Sequence, residues 1–397
     1  MSKPAILGGK PIRNSFLQPF RHFIGQEEIN EVVDTLKSDW ITTGPKTFKF
    51  EDIFSKAVNS KYAIAVNSCT AALQLALASL DIGDGDEVIT TPYTFAATAE
   101  VILNENATPV FVDVEDDTYN IDSKKIEEKI TDKTKAIIVV HYAGQPCDMD
   151  KIMEIAWDND LYVIEDAAHA IGTKYKGRDV GSIGDITCFS FYATKNVTTA
   201  EGGMITTNHE DLAEKMRILS LHGISKDAWK RYSSEGSWFY EIKYSGYKYN
   251  MSDLQSSIGI HQMKKLDKMQ LRREKIADIY NQVFAEIPEI KVPTVKEYTK
   301  HAWHLYPIQV NDKLLSINRN EFIDALKAEN IGTSVHFIPL HLHPYYKDKY
   351  GFKKGDFPNT EDLYNHEISL PIYPKMTDQD VEDVIAAAKK ITNYYKV

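Results

Sequence analysis

Cysteine is scarce in this chain of 397 residues: there are three, Cys69, Cys147 and Cys188, and no CxxC spacing among them. Such a set excludes a disulfide framework and a zinc site (no metal ligands are expected), and it suits a reducing cytoplasm. Long apolar runs are missing too. None approaches the roughly 18 residues that a membrane span requires, and the opening MSKPAILGGKPIRNS lacks the charged, apolar and small-residue regions of a secretory signal. The expectation is a cytoplasmic protein with no membrane partner. Positive charge is in deficit, with 46 Lys and Arg against 57 Asp and Glu. A net charge of −11 argues against a nucleic-acid partner but leaves room for a small anion held by local donors. Internal repeats and low-complexity stretches are absent as well.

What is present is an alternation of short apolar runs and helical stretches. Tyr62 to Val66 reads as a buried strand and Thr70 to Leu80 as a helix of strong formers. Further strands are expected at Glu87 to Thr90, Pro109 to Val114, Ala136 to His141 and Leu161 to Glu165, with helical segments at Ser123 to Ile130 and Met149 to Asp158. Ile186 to Phe191 and Gly203 to Thr207 add two strands joined by a loop. This pattern implies βαβ units and a mostly parallel sheet covered on both faces. A charged helical pattern from Ser252 to Ala285 looks like a bridge to a smaller C-terminal domain. That domain has strands near Trp303 to Val310 and Thr333 to Phe337, and a closing helix over Asp378 to Tyr395. The division expected is residues 1–260, an N-terminal arm with the large domain, and residues 261–397, the linking helix with the small one.

Two segments carry the chemistry, IEDAAHAIG (Ile164 to Gly172) and SFYATKNVTTAEGGMITT (Ser190 to Thr207). Asp166 stands at the C-terminal end of an apolar strand, where open α/β sheets place ligand contacts. Lys195 follows 29 residues later, after another strand and before a glycine pair. Pyridoxal phosphate (PLP) enzymes need both parts: an amine to hold the cofactor as a Schiff base and a carboxylate on its pyridinium nitrogen. A lone strand-end Asp is more often a cap, and a lone Lys is usually solvated. The two in one context point to catalysis.

With these segments the chain resembles the DegT/DnrJ/EryC1/StrS sugar aminotransferases over nearly its whole length. LKSDWITTGP, AVNSCTAALQLAL, GDEVITTPYTFAAT, VHYAGQPCDMD, GYKYNMSDLQSSIG and HAWHLY carry the likeness together with the two segments above. Within the family it is most similar to the spore-coat-polysaccharide aminotransferases and the UDP-4-amino-4-deoxy-L-arabinose–oxoglutarate aminotransferases. The resemblance implies the type I, aspartate aminotransferase-like, PLP-dependent transferase fold: a large, mixed, mostly parallel sheet domain plus a smaller α/β C-terminal domain. It also implies residue roles. Lys195 matches the Schiff-base lysine, Asp166 the partner of the pyridine nitrogen, and His169 the residue near the phenolic oxygen. Cys69, Thr70 and Ser190 match phosphate contacts, where the helix N-terminus also suits an anion. Phe95 matches the aromatic stacked on the ring, and Asn250 a residue reaching the phosphate from the neighbouring subunit of a homodimer with shared sites. GYKYN, where many relatives read GxNxRM, and Ala200, where many have Gly, are departures.

For substrate, the resemblance implicates His336 in GTSVHF and the segment His222 to Gly246, with Trp229, Arg231 and Tyr232. Aromatics and Arg suit a base and a pyrophosphate, although such residues serve cores and interfaces equally well. Trp40, Thr43 and Gly44 fall near the expected subunit boundary. The implied reaction moves an amino group from L-glutamate, leaving 2-oxoglutarate, to C4 of a UDP- or dTDP-linked 4-keto sugar. A dehydratase of the same fold would carry His in place of Lys195, and a non-catalytic regulator would have lost Lys195 or Asp166. Both residues are present.

Overall fold

Strands covered on both faces are apolar along their length, and the apolar runs of the first half lie side by side in the computed structural model, which describes residues 2–225 and 239–397. In chain order this half contains α1 (Gln26–Lys37), α2 (Pro45–Ala57), β1 (Tyr62–Val66), α3 (Cys69–Ser79), β2 (Glu87–Thr90), α4 (Ala96–Asn104), β3 (Thr108–Phe111) and β4 (Thr134–Val140). It continues with α5 (Met149–Asp158), β5 (Tyr162–Asp166), the short β6 (Lys174–Tyr175) and β7 (Arg178–Asp179), β8 (Ile186–Ser190), β9 (Gly203–Thr207) and α6 (Glu210–Leu219). Seven of these strands form one sheet in the order β1-β9-β8-β5-β4-β2-β3. β3, β2, β4, β5 and β8 pair in parallel, whereas β9 runs antiparallel to both β8 and β1. The sheet is therefore mixed and mostly parallel, as the alternation predicts.

The remainder comprises α7 (Asp253–Lys264), α8 (Leu266–Phe284), β10 (Ile290–Lys291), β11 (Thr299–Lys300), β12 (Tyr306–Val310), α9 (Arg319–Ala328), α10 (Pro344–Tyr350), α11 (Pro358–His366), β13 (Glu367–Leu370) and α12 (Asp378–Tyr395). β10, β12 and β13 form an antiparallel sheet. Its core joins Tyr280 and Phe284 of α8, Phe322 of α9, and Val384 and Ile391 of α12. Leu17, from before α1, is part of the same core. Its amide donates to the Asn330 carbonyl at 2.9 Å, and its carbonyl accepts from Gly332 at 2.8 Å. The buried Glu329 carboxylate ties the chain start down as well, accepting from the Ala5 and Ile12 amides at 2.7 and 2.8 Å while pairing with Lys390 at 2.8 Å.

Four local expectations change. The pattern over Ser252 to Ala285 is two helices, because the backbone turns at Lys265 (φ −100°, ψ −4°). There Lys265 Nζ reaches Glu27 and Glu28 at 2.9 and 2.7 Å. Ser123 to Ile130 forms two 3-10 turns, since so short a stretch lacks the length that offsets helix nucleation. Thr333 to Phe337 makes a single bridge, Ser334 to Ser369, before the chain turns inward. β12 likewise starts at Tyr306, because Trp303 lies in the left-handed region at φ +48°. Its carbonyl accepts from the buried Arg273 guanidinium at 3.0 Å.

Candidate active site

β2, β4, β5 and β8 each deliver a side chain or a turn at the C-terminal end, and with the turn after β1 these ends converge on a cavity of about 390 Å³. β5 ends at Asp166, which is buried. Its Oδ2 accepts from the Thr98 hydroxyl at 2.8 Å, and its Oδ1 accepts from the Ala168 amide at 3.1 Å. Burial raises the Asp166 pKa, with these two donors and the Lys195 charge opposing the rise. A cation beside it would settle it as a carboxylate.

Lys195 lies in the loop between β8 and β9, its amide donating to the Tyr192 carbonyl at 2.9 Å. Burial lowers its amine to about 8, against the pull of Asp166. A substantial fraction is thus neutral near physiological pH, as an amine that attacks a carbonyl must be.

The anion cradle forms where β1 runs into α3. Ser68 caps the helix by accepting from the Ala71 amide at 3.0 Å. The first-turn amides of Cys69 and Thr70 have no carbonyl within the helix to bond. Ser190, at the end of β8, accepts from the Tyr192 amide at 3.3 Å, so its own proton is available for an oxygen in the cavity. Gly203 presses on this cradle. A Cβ there would lie 2.5 Å from the Ser68 carbonyl carbon and oxygen and 2.8 Å from the Cys69 nitrogen. Gly202 is equally crowded, by Thr199 Oγ1 at 2.2 Å and Met251 Cε at 2.5 Å. Ala200 adopts φ +69°, the left-handed region that its glycine counterpart in relatives enters without strain. Burial pushes the Cys69 thiol up, which keeps it neutral.

His169 is a neutral imidazole, because burial and the nearby Lys195 and His336 push its pKa well down. The Ala143 amide donates to its Nδ1 at 3.3 Å. The ring proton is thereby assigned to Nε2, which makes that atom a donor. Phe95 sits at the mouth, 62% exposed, with its ring 6.1 Å from that of Phe337. His304 and His336 complete the wall.

Of the residues read from the sequence, Lys195, Asp166, His169, Cys69, Thr70, Phe95, Ser190 and His336 all line this cavity. Trp40, Thr43, Gly44 and Asn250 do not; they form a cluster of their own. Asn250 Nδ2 donates to Thr43 Oγ1 at 2.7 Å, and Trp40 Nε1 donates to the Thr43 carbonyl at 2.7 Å. Gly44 lies so close to the indole that a Cβ would come within 2.1 Å of Trp40 Nε1. Trp229, Arg231 and Tyr232 fall outside the described residues. Thr98, Ser68, Tyr192, His304 and Phe337 were not singled out. All five stand inside quoted motifs, but only the fold brings Ser68, Tyr192, His304 and Phe337 to the cavity and Thr98 to Asp166.

The site fits PLP: a buried carboxylate that a ring cation would satisfy, free amides at a helix N-terminus for a phosphate, and an amine with a lowered pKa. Fold and site together define a PLP-dependent aminotransferase. The chain belongs to the DegT/DnrJ/EryC1/StrS aminotransferase family, whose model matches residues 22–389. It is 56% identical over 380 residues to the spore coat polysaccharide biosynthesis protein SpsC of Bacillus subtilis, covering 96% of this chain and 98% of that one. It is 65% identical over 382 residues to the uncharacterized protein MJ1066 of Methanocaldococcus jannaschii, covering 96% and 99%. The putative sugar aminotransferase Spr1654 of Streptococcus pneumoniae, solved in its PLP form, superposes with a TM-score of 0.89 at 37% identity, covering 96% of this chain and 99% of that one.

Proposed function

We propose that this enzyme transfers the amino group of L-glutamate to C4 of a UDP- or dTDP-linked 4-keto sugar for a cell-surface polysaccharide. The observation that carries the reading is the convergence of Lys195, Asp166 and the α3 N-terminus on one cavity. SpsC, by its name a spore coat polysaccharide protein, supports the sugar class. PLP, when bound, supplies an electron sink for the carbon that loses its proton. The protein supplies the rest. The Cys69 and Thr70 amides and Ser190 would hold the phosphate, Phe95 would cover one ring face, and Asp166 would keep the pyridine nitrogen protonated. His169 Nε2–H would donate to the phenolic oxygen. The Lys195 amine would anchor the aldehyde carbon and then, once released, move the proton to and from the substrate carbon.

A homodimer with shared sites accounts for the residues that stand apart. Ile29, Val33 and Leu36 line one face of α1 and are 49%, 41% and 60% exposed, with Ile41 and Phe48 exposed nearby. An apolar face of that kind suits a second copy. Trp40, Thr43 and Gly44 adjoin it in the chain, Asn250 is bonded to Thr43, and all four would enter the partner's cavity. Three free thiols fit the cytoplasm, and no described helix is long and apolar enough to cross a membrane. The test is a panel of UDP-, dTDP-, CMP- and GDP-linked keto-sugars with glutamate, read by mass spectrometry. One aminated nucleotide-sugar is expected. Preference for a free keto acid over every one of them would overturn the substrate class.

A further inference from the structure

His336 is backed by a buried chain of hydrogen bonds leading away from the cavity. Its Nδ1 lies 2.9 Å from Ser369 Oγ, and Ser369 Oγ lies 2.5 Å from Glu367 Oε1. The other carboxyl oxygen, Oε2, accepts from the His336 amide at 3.0 Å. Ser369 and Glu367 are 3% and 0% exposed. Among the described residues no cation pairs with the Glu367 carboxyl: Arg319 donates to the Glu367 backbone carbonyl instead, at 2.9 Å. The other titratable groups facing this chain are the hydroxyls of Tyr93, Tyr119 and Tyr142 on its buried side and Lys195, His169 and His304 on its cavity side. Tyr142 fixes the turn by donating to the His336 carbonyl at 2.6 Å.

A carboxyl buried without a cation keeps its proton, and burial does push Glu367 up to about 8. The direction of every bond in the chain follows. With Glu367 protonated, Oε1–H donates to Ser369 Oγ, Ser369 donates to His336 Nδ1, and His336 carries its proton at Nε2, on the cavity side. With Glu367 ionised the bonds reverse, His336 holds its proton at Nδ1, and Nε2 is a bare acceptor.

We infer that Glu367 and Ser369 are positioning residues that make His336 a general acid and base toward the keto oxygen of the sugar. This rests on the amination reading above. A keto carbon that gains a nitrogen loses its oxygen as water, and both protons of that water come in the end from the incoming nitrogen. The relay lends one while the carbon–oxygen bond breaks. His336 Nε2–H passes to the oxygen, the Ser369 proton to Nδ1, and the Glu367 proton to Ser369. The same path returns a proton to Glu367 when the nitrogen sheds its own. No electrons are exchanged.

The test uses the PLP-loaded enzyme, with the two half-reactions followed separately, and the cofactor-free protein for spectroscopy. E367Q and S369A are expected to slow the keto-sugar half-reaction by about 100-fold or more, with KM little changed and the glutamate half-reaction nearly intact. S369T, which restores the hydroxyl, is expected to recover most of the loss. A merely structural role would depress both half-reactions alike, and S369T would not rescue. In the cofactor-free protein, infrared spectra should show a buried carboxylic acid band that titrates near pH 8 and is missing in E367Q. The ¹⁵N shifts of His336 should exchange tautomer with it. Absence of that band at neutral pH, or full keto-sugar turnover by E367Q, would overturn the relay. A wild type that aminates none of the sugars counts against the substrate reading alone, because the band and the imidazole shifts decide the relay without substrate.

Discussion

Three carboxyls are buried in two different sheets, and each meets burial differently. Glu165 and Asp166 are neighbours on β5 with side chains on opposite faces. Glu165 faces His141 at 2.8 Å and accepts from Thr187 Oγ1 and the Gly184 amide at 2.7 and 2.8 Å. Its pKa falls despite full burial. Asp166 has two donors and, among the described residues, no cation in contact, so burial raises its pKa. Glu367, in the small antiparallel sheet, is pushed up to about 8. Burial alone thus decides nothing; the donors and cations around each group do. Glu165 is satisfied from within, Asp166 would be satisfied by a cation on the proposed cofactor, and Glu367 keeps a proton.

The largest expected effect separates Lys195 from all three. Lys195→Ala should lower turnover by at least about 10⁴-fold while PLP still binds noncovalently, as absorbance and equilibrium dialysis would show. Full turnover would remove the proposed mechanism. Next, Asp166→Asn keeps the Thr98 bond but removes the charge. Turnover should fall by roughly 10²- to 10⁴-fold, whereas the cofactor-free protein should melt higher at neutral pH because a costly buried charge is gone. A melt lower than wild type would remove the claim that Asp166 is unsatisfied without cofactor.

Glu367 sharpens the contrast through pH. Its folded pKa lies above the ordinary 4.5, so folding holds a proton that the unfolded chain releases, and stability drains away as pH rises from about 4.5 to about 8. The shift corresponds to about 4–5 kcal/mol at most. The advantage of E367Q over wild type in urea melts should grow across that window and level off above it. A flat difference would mean that Glu367 is ionised throughout.

Gly203→Ala should cost about 1–3 kcal/mol and weaken PLP binding, since the clash is with the Ser68 and Cys69 backbone itself. Titrating the apoenzyme with PLP checks this. The smallest effect goes the other way. Ala200→Gly relieves φ +69° and should stabilise by up to about 1 kcal/mol in thermal melts.

The large sheet was legible because a strand buried on both faces must be apolar, and nothing else in YAIAV or ITCFS competes with that signal. Met149–Asp158 and Asp378–Tyr395 match their expected bounds for a related reason: an amphipathic stripe ends where its period ends. Asp166 and Lys195 could be read because their chemistry is rare and their positions sit beside strand ends. Thr98, Ser369 and Glu367 could not be read. A buried Thr, Ser or Glu announces itself only when a distant segment closes over it, and sequence spacing does not encode the 33 residues between His336 and Ser369 as contact. The same holds for the break at Lys265, set by glutamates on another helix.

The Glu329 carboxylate fastens residue 5 to residue 329, 324 positions away. A ribosome adding roughly 5–20 residues per second needs about 15–65 s to cover that distance. Throughout that interval Leu17 has no core to enter, while the large sheet between them is already emerging complete. The small unit is consequently the last part of the molecule to acquire its interior. The relay through Ser369 and Glu367, built into that unit, is synthesised well after Ser68 to Thr70 and Ser190.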